Sequence, residues 1–109
     1  MFEGKYWAYK LVDKVPVKCT LEEISNIDRR IQRDEYNGVI VSTVFLPFDH
    51  SFNEEGPILF ETLVFGGKND GLMRRYKTYD EAVDGHNEIC YLINKESIDR
   101  DNKLKDLGI

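Results

Sequence analysis

Apolar residues in this chain alternate in some stretches and recur every third or fourth position in others, and these changes of spacing divide it into elements. Tyr6 to Val12, rich in aromatic and β-branched residues, predicts a strand. Asp13-Lys14 predicts a tight connection to a short return over Val15 to Lys18, with Pro16 on an edge because it has no N–H to give a ladder. Thr20-Leu21-Glu22-Glu23 matches a capping box, and Leu21, Ile24 and Ile27 follow at helical spacing, so a short helix is expected from about Thr20 to Asp28. Arg29 to Tyr36 reads two ways. Ile31 keeps the phase of that helix, yet Asn37-Gly38 followed at once by Val39-Ile40-Val41 signals a two-residue hairpin turn, in which both residues take positive φ. The hairpin reading makes Arg30 to Tyr36 a strand paired with Val39 to Phe48.

Ile58 to Phe65 is the next clear strand, ended by Gly66-Gly67, and Met73 to Lys77 is a last short one. Ile40, Val44, Leu46 and Phe48 share one face of the Val39–Phe48 strand and Val39, Val41 and Phe45 the other. Bulky groups on both sides predict central strands covered on much of both faces. Thr78-Tyr79-Asp80-Glu81 is a second capping box. Behind it Tyr79, Ala82, Val83, His86, Ile89, Cys90 and Ile93 form an apolar stripe, which predicts a long amphipathic helix from Tyr79 to Lys95. From Glu96 onward the chain is highly charged and reads as a tail that frays or docks loosely as a final helix. The fold class expected is α+β: a single domain over residues 1–95, with an antiparallel sheet of five to six strands packed by the long helix and one short one.

The 109 residues suit one core, and 12% aromatic content argues against disorder. A formal net charge of −5 argues against nucleic acid as a partner, since a phosphate backbone needs a concentrated basic surface. The basic groupings, Lys68/Arg74/Arg75/Lys77 and Arg29/Arg30/Arg33, read as small anion patches or as solvated faces. Cys19 and Cys90 lie far apart without a CxxC context, so no zinc or redox motif is indicated, and Cys90 reads as a small core residue. No leader-like apolar stretch follows Met1 and no run reaches membrane-spanning length, so the expected location is the cytoplasm.

Candidate chemistry centres on the segment between the two best strands. Asp49-His50 reads as an acid–base pair assisted by Ser51 and Glu61, or as a loop in which Asp49 accepts from the N–H groups after it and Phe52 tucks into the core. His86 follows Gly85 on the apolar helix face, so it reads as a core histidine or as a partner to His50. Gly85 inside a helix costs about 1 kcal/mol relative to alanine, which suggests that another group approaches closely there. Glu61 interrupts an apolar strand and calls for a partner, with Arg33 or Arg75 across the sheet as candidates. Trp7, Tyr9, Tyr76 and Tyr79 offer rings for stacking or for the core. No third metal ligand stands out beside the histidines, no cofactor is implied, and there is no Walker loop, GxGxxG or GxSxG.

The run Val41-Ser42-Thr43-Val44-Phe45-Leu46-Pro47-Phe48-Asp49-His50-Ser51-Phe52, then Pro57 to Phe65, the Arg75-Tyr76 pair, and a helix with Glu81-Ala82 and Gly85-His86, resembles a family of small phage and prophage proteins. Its members read VSTV-x-L-x-x-DHSF, P-x-x-FETMVF, RY and GH; here Leu63 stands at the methionine position. The likeness spans about residues 5 to 94. It implies a phage accessory protein in the host cytoplasm, with a site near His50, Glu61 and His86, and it assigns no reaction. The expected function is therefore non-catalytic binding that counters a host defence. The partner is either a host protein or a small nucleotide held by Asp49, His50, Ser51, Phe52, Glu61, Arg74, Arg75, Tyr76 and His86. The alternatives are a small hydrolase using His50 with Asp49 or Glu61, and a minor structural or assembly component of the phage. Strand Tyr6–Val12 as an open edge suggests a homodimer.

Overall fold

A computed structural model of the chain describes residues 8–51 and 56–106, with 96–106 described by backbone alone. Tyr6, Trp7 and Phe52 lie outside the described residues. The described chain is α+β, with six strands in two antiparallel sheets and one long helix: β1 (Ala8–Val12), β2 (Val15–Cys19), β3 (Arg30–Tyr36), β4 (Val39–Phe45), β5 (Phe60–Phe65), β6 (Met73–Tyr76) and α1 (Tyr79–Asp106). β1 and β2 form a separate hairpin, and the other four strands lie in the order β3-β4-β5-β6.

Turn chemistry sets both hairpins. Asn37 and Gly38 take φ of 50° and 84°, as the hairpin reading requires, and Tyr36 faces Val39 in register. Asp13 and Lys14 do the same at φ 50° and 71° and close β1 onto β2. The edge of β1 expected to be open is partly occupied, since the Tyr9 N–H donates to the Pro47 carbonyl at 2.8 Å.

Three expectations are corrected. The first capping box forms, with the Thr20 N–H donating to Glu23 Oε2 at 2.8 Å, but it leads only into a single 3₁₀ turn, Glu22–Ile24. Ser25 turns its hydroxyl onto the Glu22 carbonyl and Asp28 accepts from the Arg30 N–H, so side chains compete for the bonds a helix would use. The long helix does not end near Lys95; its backbone continues to Asp106, through residues that are mostly good helix formers and contain no Gly or Pro. The four-stranded sheet is covered on one face only. In β4 and β5 buried residues alternate strictly with half-buried or exposed ones. Bulky side chains on the second face therefore mark a surface, not a second core.

On the covered face Val41 and Val64 pack on Ile89, Cys90 and Ile93 of α1. Phe45, Leu59 and Phe60 pack on Ala82, with Tyr9, Leu11, Tyr76 and Tyr79 around them. The β1–β2 hairpin contributes Ala8 and Cys19, which close on Ile24. The second capping box starts α1 as expected: Thr78 Oγ1 accepts from the Glu81 N–H, and Glu81 accepts from the Thr78 N–H, both at 3.1 Å.

Candidate functional site

The polar residues buried under α1 form one continuous hydrogen-bonded chain. Tyr76 OH donates to Thr62 Oγ1 at 3.1 Å. Thr62 and Thr43, opposite each other in the β4–β5 register, bond hydroxyl to hydroxyl. Thr43 Oγ1 lies 2.7 Å from His86 Nδ1, and His86 Nε2 lies 2.7 Å from Asp34 Oδ2. A carboxylate only accepts, so Nε2 carries the proton, and in the neutral ring Nδ1 accepts from Thr43. Gln32 Nε2 donates to the same Asp34 oxygen at 3.2 Å and also to Asn87 Oδ1 at 3.0 Å. The Cys90 thiol points at Asp34 Oδ2 from 3.8 Å.

Period-two geometry builds this chain. Gln32, Asp34, Thr43, Thr62 and Tyr76 all point to the helix side of the sheet, because cross-strand partners share a face. His86 comes down onto them from α1, and Cys90 stands one turn further along the same helix face. Gly85 allows the approach, since a Cβ there would run into the Tyr76 ring and hydroxyl. The order hydroxyl–imidazole–carboxylate matches that of a hydrolytic triad, but Thr43 and His86 are fully buried (both 0% exposed), so this hydroxyl has no access to a substrate. Only Asp34 reaches solvent, its side chain 37% exposed. The hydrogen bond from His86 holds the Asp34 carboxyl below its ordinary pKa, against the opposing effect of burial. Burial pushes the Cys90 thiol up, with the Tyr36 hydroxyl beside it acting the other way.

The sequence-derived candidates divide among three places. Asp49, His50 and Ser51 sit in the β4–β5 connection. Asp49 accepts from the N–H groups of Ser51 at 2.8 Å and Ile58 at 2.9 Å and from the Ser51 hydroxyl at 3.0 Å, so it staples the loop as an Asx-type turn. His50 donates from Nδ1 to the Phe48 carbonyl at 2.6 Å. His86 and Tyr76 belong to the buried chain. Both His86 nitrogens are taken by Thr43 and Asp34, so the expected pairing of the two imidazoles does not form. Glu61 lies on the far face of the sheet, bonded at 3.0 Å to Arg75, one of its two expected partners. Arg74 points to the helix side and bonds Glu88 at 3.0 Å, so Arg74 and Arg75 diverge. The expected nucleotide cradle of loop, two arginines and aromatics is not brought together among the described residues.

Sequence reasoning passed over Thr43, Thr62, Asp34 and Cys90. One signal was available: His86 and Cys90 are four apart on a helical stripe, a spacing that stacks their side chains. Nothing in the sequence around Asp34 points to the helix. Comparison with protein-family models, curated proteins and solved structures finds no match to this chain.

Proposed function

We propose that this protein is a non-catalytic binding module whose working surface is the open face of the four-stranded sheet, and that its partner is another protein. The observation that carries this reading is the makeup of that face. Three cross-strand rows lie on it: Val44, Glu61 and Arg75; Arg33, Ser42, Leu63 and Met73; Glu35, Ile40 and Phe65. No described element packs over it, and Phe65 and Met73 stand 47% and 46% exposed. Phe, Met and Arg are the residue types enriched at protein interfaces. The ion pairs Glu61–Arg75 and Arg33–Glu35 lie among the apolar groups, a pattern suited to a flat partner of mixed character.

Two further points support binding to a protein. The divergence of Arg74 and Arg75, each held by a carboxylate, leaves no convergent phosphate grip on β6. The hydroxyl–imidazole–carboxylate chain is sealed in the core, which disfavours the hydrolase alternative. The sequence resemblance supports a finer reading, in which the partner is a bacterial host protein and the binding counters a host defence.

The test is site-specific photo-crosslinking in bacterial host extract, from positions 65 and 73 and, as control, from position 91 on α1, where Tyr91 is 65% exposed. One host protein should crosslink from 65 and 73 and not from 91, and Leu63→Arg should abolish the crosslink while leaving the melting temperature within a few degrees. Crosslinks only between copies of this chain, or a large thermal shift with a cyclic or linear nucleotide, would refute it.

A further inference from the structure

Asp34, His86 and Cys90 place a carboxylate oxygen, an imidazole nitrogen and a thiol sulfur all within 4.8 Å of one another, beneath α1 and on the opposite side of the sheet from the proposed docking face. We propose that these three side chains bind a divalent cation of the zinc class, clamping α1 to edge strand β3 and leaving a fourth position open.

The donor set selects the metal class. Mixed N, S and O ligands suit Zn²⁺ and its neighbours, whereas Mg²⁺ and Ca²⁺ take oxygen alone. A neutral imidazole, a thiolate and a carboxylate carry together the charge that one divalent ion cancels, so the loaded site adds no net charge to a largely buried region. Geometry is close to what tetrahedral zinc needs. With metal–ligand bonds of about 2.0–2.3 Å, ligand atoms lie roughly 3.3–3.7 Å apart. Here Nε2 and Oδ2 are 2.7 Å apart and Sγ and Oδ2 3.8 Å. The carboxylate must withdraw by under about 1 Å, within reach of a side-chain rotation.

The surroundings act as an outer shell that orients the ligands. When a metal takes Nε2, the imidazole proton moves to Nδ1 and donates to Thr43 Oγ1, already 2.7 Å away. The Thr43 hydroxyl then donates to Thr62, which also accepts from Tyr76. Gln32, itself held by Asn87, fixes the carboxylate. The thiol proton leaves to solvent on binding. Asp34, 37% exposed on an edge strand, offers the route of entry.

Cobalt(II) titration of the reduced full-length chain tests this. Binding of one Co²⁺ per chain should produce the intense near-ultraviolet cobalt–thiolate band, and Zn²⁺ should displace it. The band should vanish in Cys90→Ser and persist in Cys19→Ser. Asp34→Asn, at a half-exposed position that folding tolerates, should weaken Zn²⁺ affinity by at least the ~10–100-fold that outer-shell changes produce. Free Zn²⁺ at 100 times its Kd should raise the folded-to-unfolded ratio about a hundredfold. The site is overturned by a folded, reduced protein that gives no thiolate band. It is equally overturned by a band that survives Cys90→Ser, or by Zn²⁺ affinity unchanged in Asp34→Asn. The docking-face crosslinks are independent of all these readings.

Discussion

Alanine is ordinarily the better helix residue, so Gly85→Ala would be expected to stabilise α1 by about 1 kcal/mol if the position were neutral. The structure predicts the opposite sign. A methyl group built on Gly85 lies 2.5 Å from Tyr76 Cζ and nearer still to the Tyr76 hydroxyl, whereas carbon atoms in contact sit about 3.5–4.0 Å apart. The ring must move by about 1 Å or more. It is not free to do so, because it packs against the Phe45–Phe60 cluster and its hydroxyl is bonded to Thr62 at 3.1 Å. Overpacking of this kind costs about 1–3 kcal/mol, and losing the hydrogen bond adds about 1. After the helix gain is subtracted, Gly85→Ala should destabilise by about 1–3 kcal/mol in equilibrium urea unfolding. The same change made in a Tyr76→Ala background, where the ring is gone, should stabilise by up to about 1 kcal/mol. That inversion of sign is the decisive reading. Stabilisation by Gly85→Ala in the otherwise unaltered protein would show that the Gly85–Tyr76 approach is not what this position is for.

Thr43→Val, nearly isosteric, leaves His86 Nδ1 buried without a donor and should cost about 1–3 kcal/mol in the same assay, while Ser42→Val, one residue along on the open face, should stay within about 0.5. Acid should unfold the protein in a defined window. Glu23, drawn down to about 2 first by Lys10 and then by the Thr20 N–H, loses its partners only on protonation. Asp49 is also lowered: burial pushes it up, but the N–H groups of Ile58 and Ser51 outweigh that. Folded-state values below the unfolded ones mean stability that is complete above about pH 4–4.5 and lost as pH falls towards 2. A Glu23→Gln/Asp49→Asn double variant should therefore show a shallower fall by circular dichroism, and a steepest loss above pH 5 would contradict this account. Both thiols are buried, Cys19 2% and Cys90 6% exposed, and burial raises both pKa values. Native protein at neutral pH should alkylate at the rate at which it opens, and in urea at the rate of a free thiol; fast native labelling of either would refute the packing described.

The elements with strong local instructions were legible. Asn37-Gly38 decided for a hairpin over a continued helix because few residue pairs tolerate two positive φ values in succession. Thr78 and Glu81 started α1, and the stripe from Tyr79 to Ile93 identified its buried side. The Asp49 staple and the Glu61–Arg75 pair were within reach too, the first because an Asx turn is local, the second because a strand carboxylate in apolar company requires a counter-charge. The short helix failed where Ser25, Asn26 and Asp28 had equally local alternatives. The two-sided core failed because apolar residues on a strand's second face look the same whether a layer or a partner covers them.

By itself, then, the sequence determined what depends on neighbours along the chain: turn geometry, helix start, strand alternation, and the class of fold these imply. Tertiary structure alone decided which polar residues meet. Asp34 and His86 are 52 positions apart and Thr43 and His86 are 43, and no local rule relates them. Their meeting depends on strand register and on the rotation of one helix about its axis. Those are set by the packing of Val41, Val64, Ile89 and Ile93 and by the space that Gly85 leaves for Tyr76.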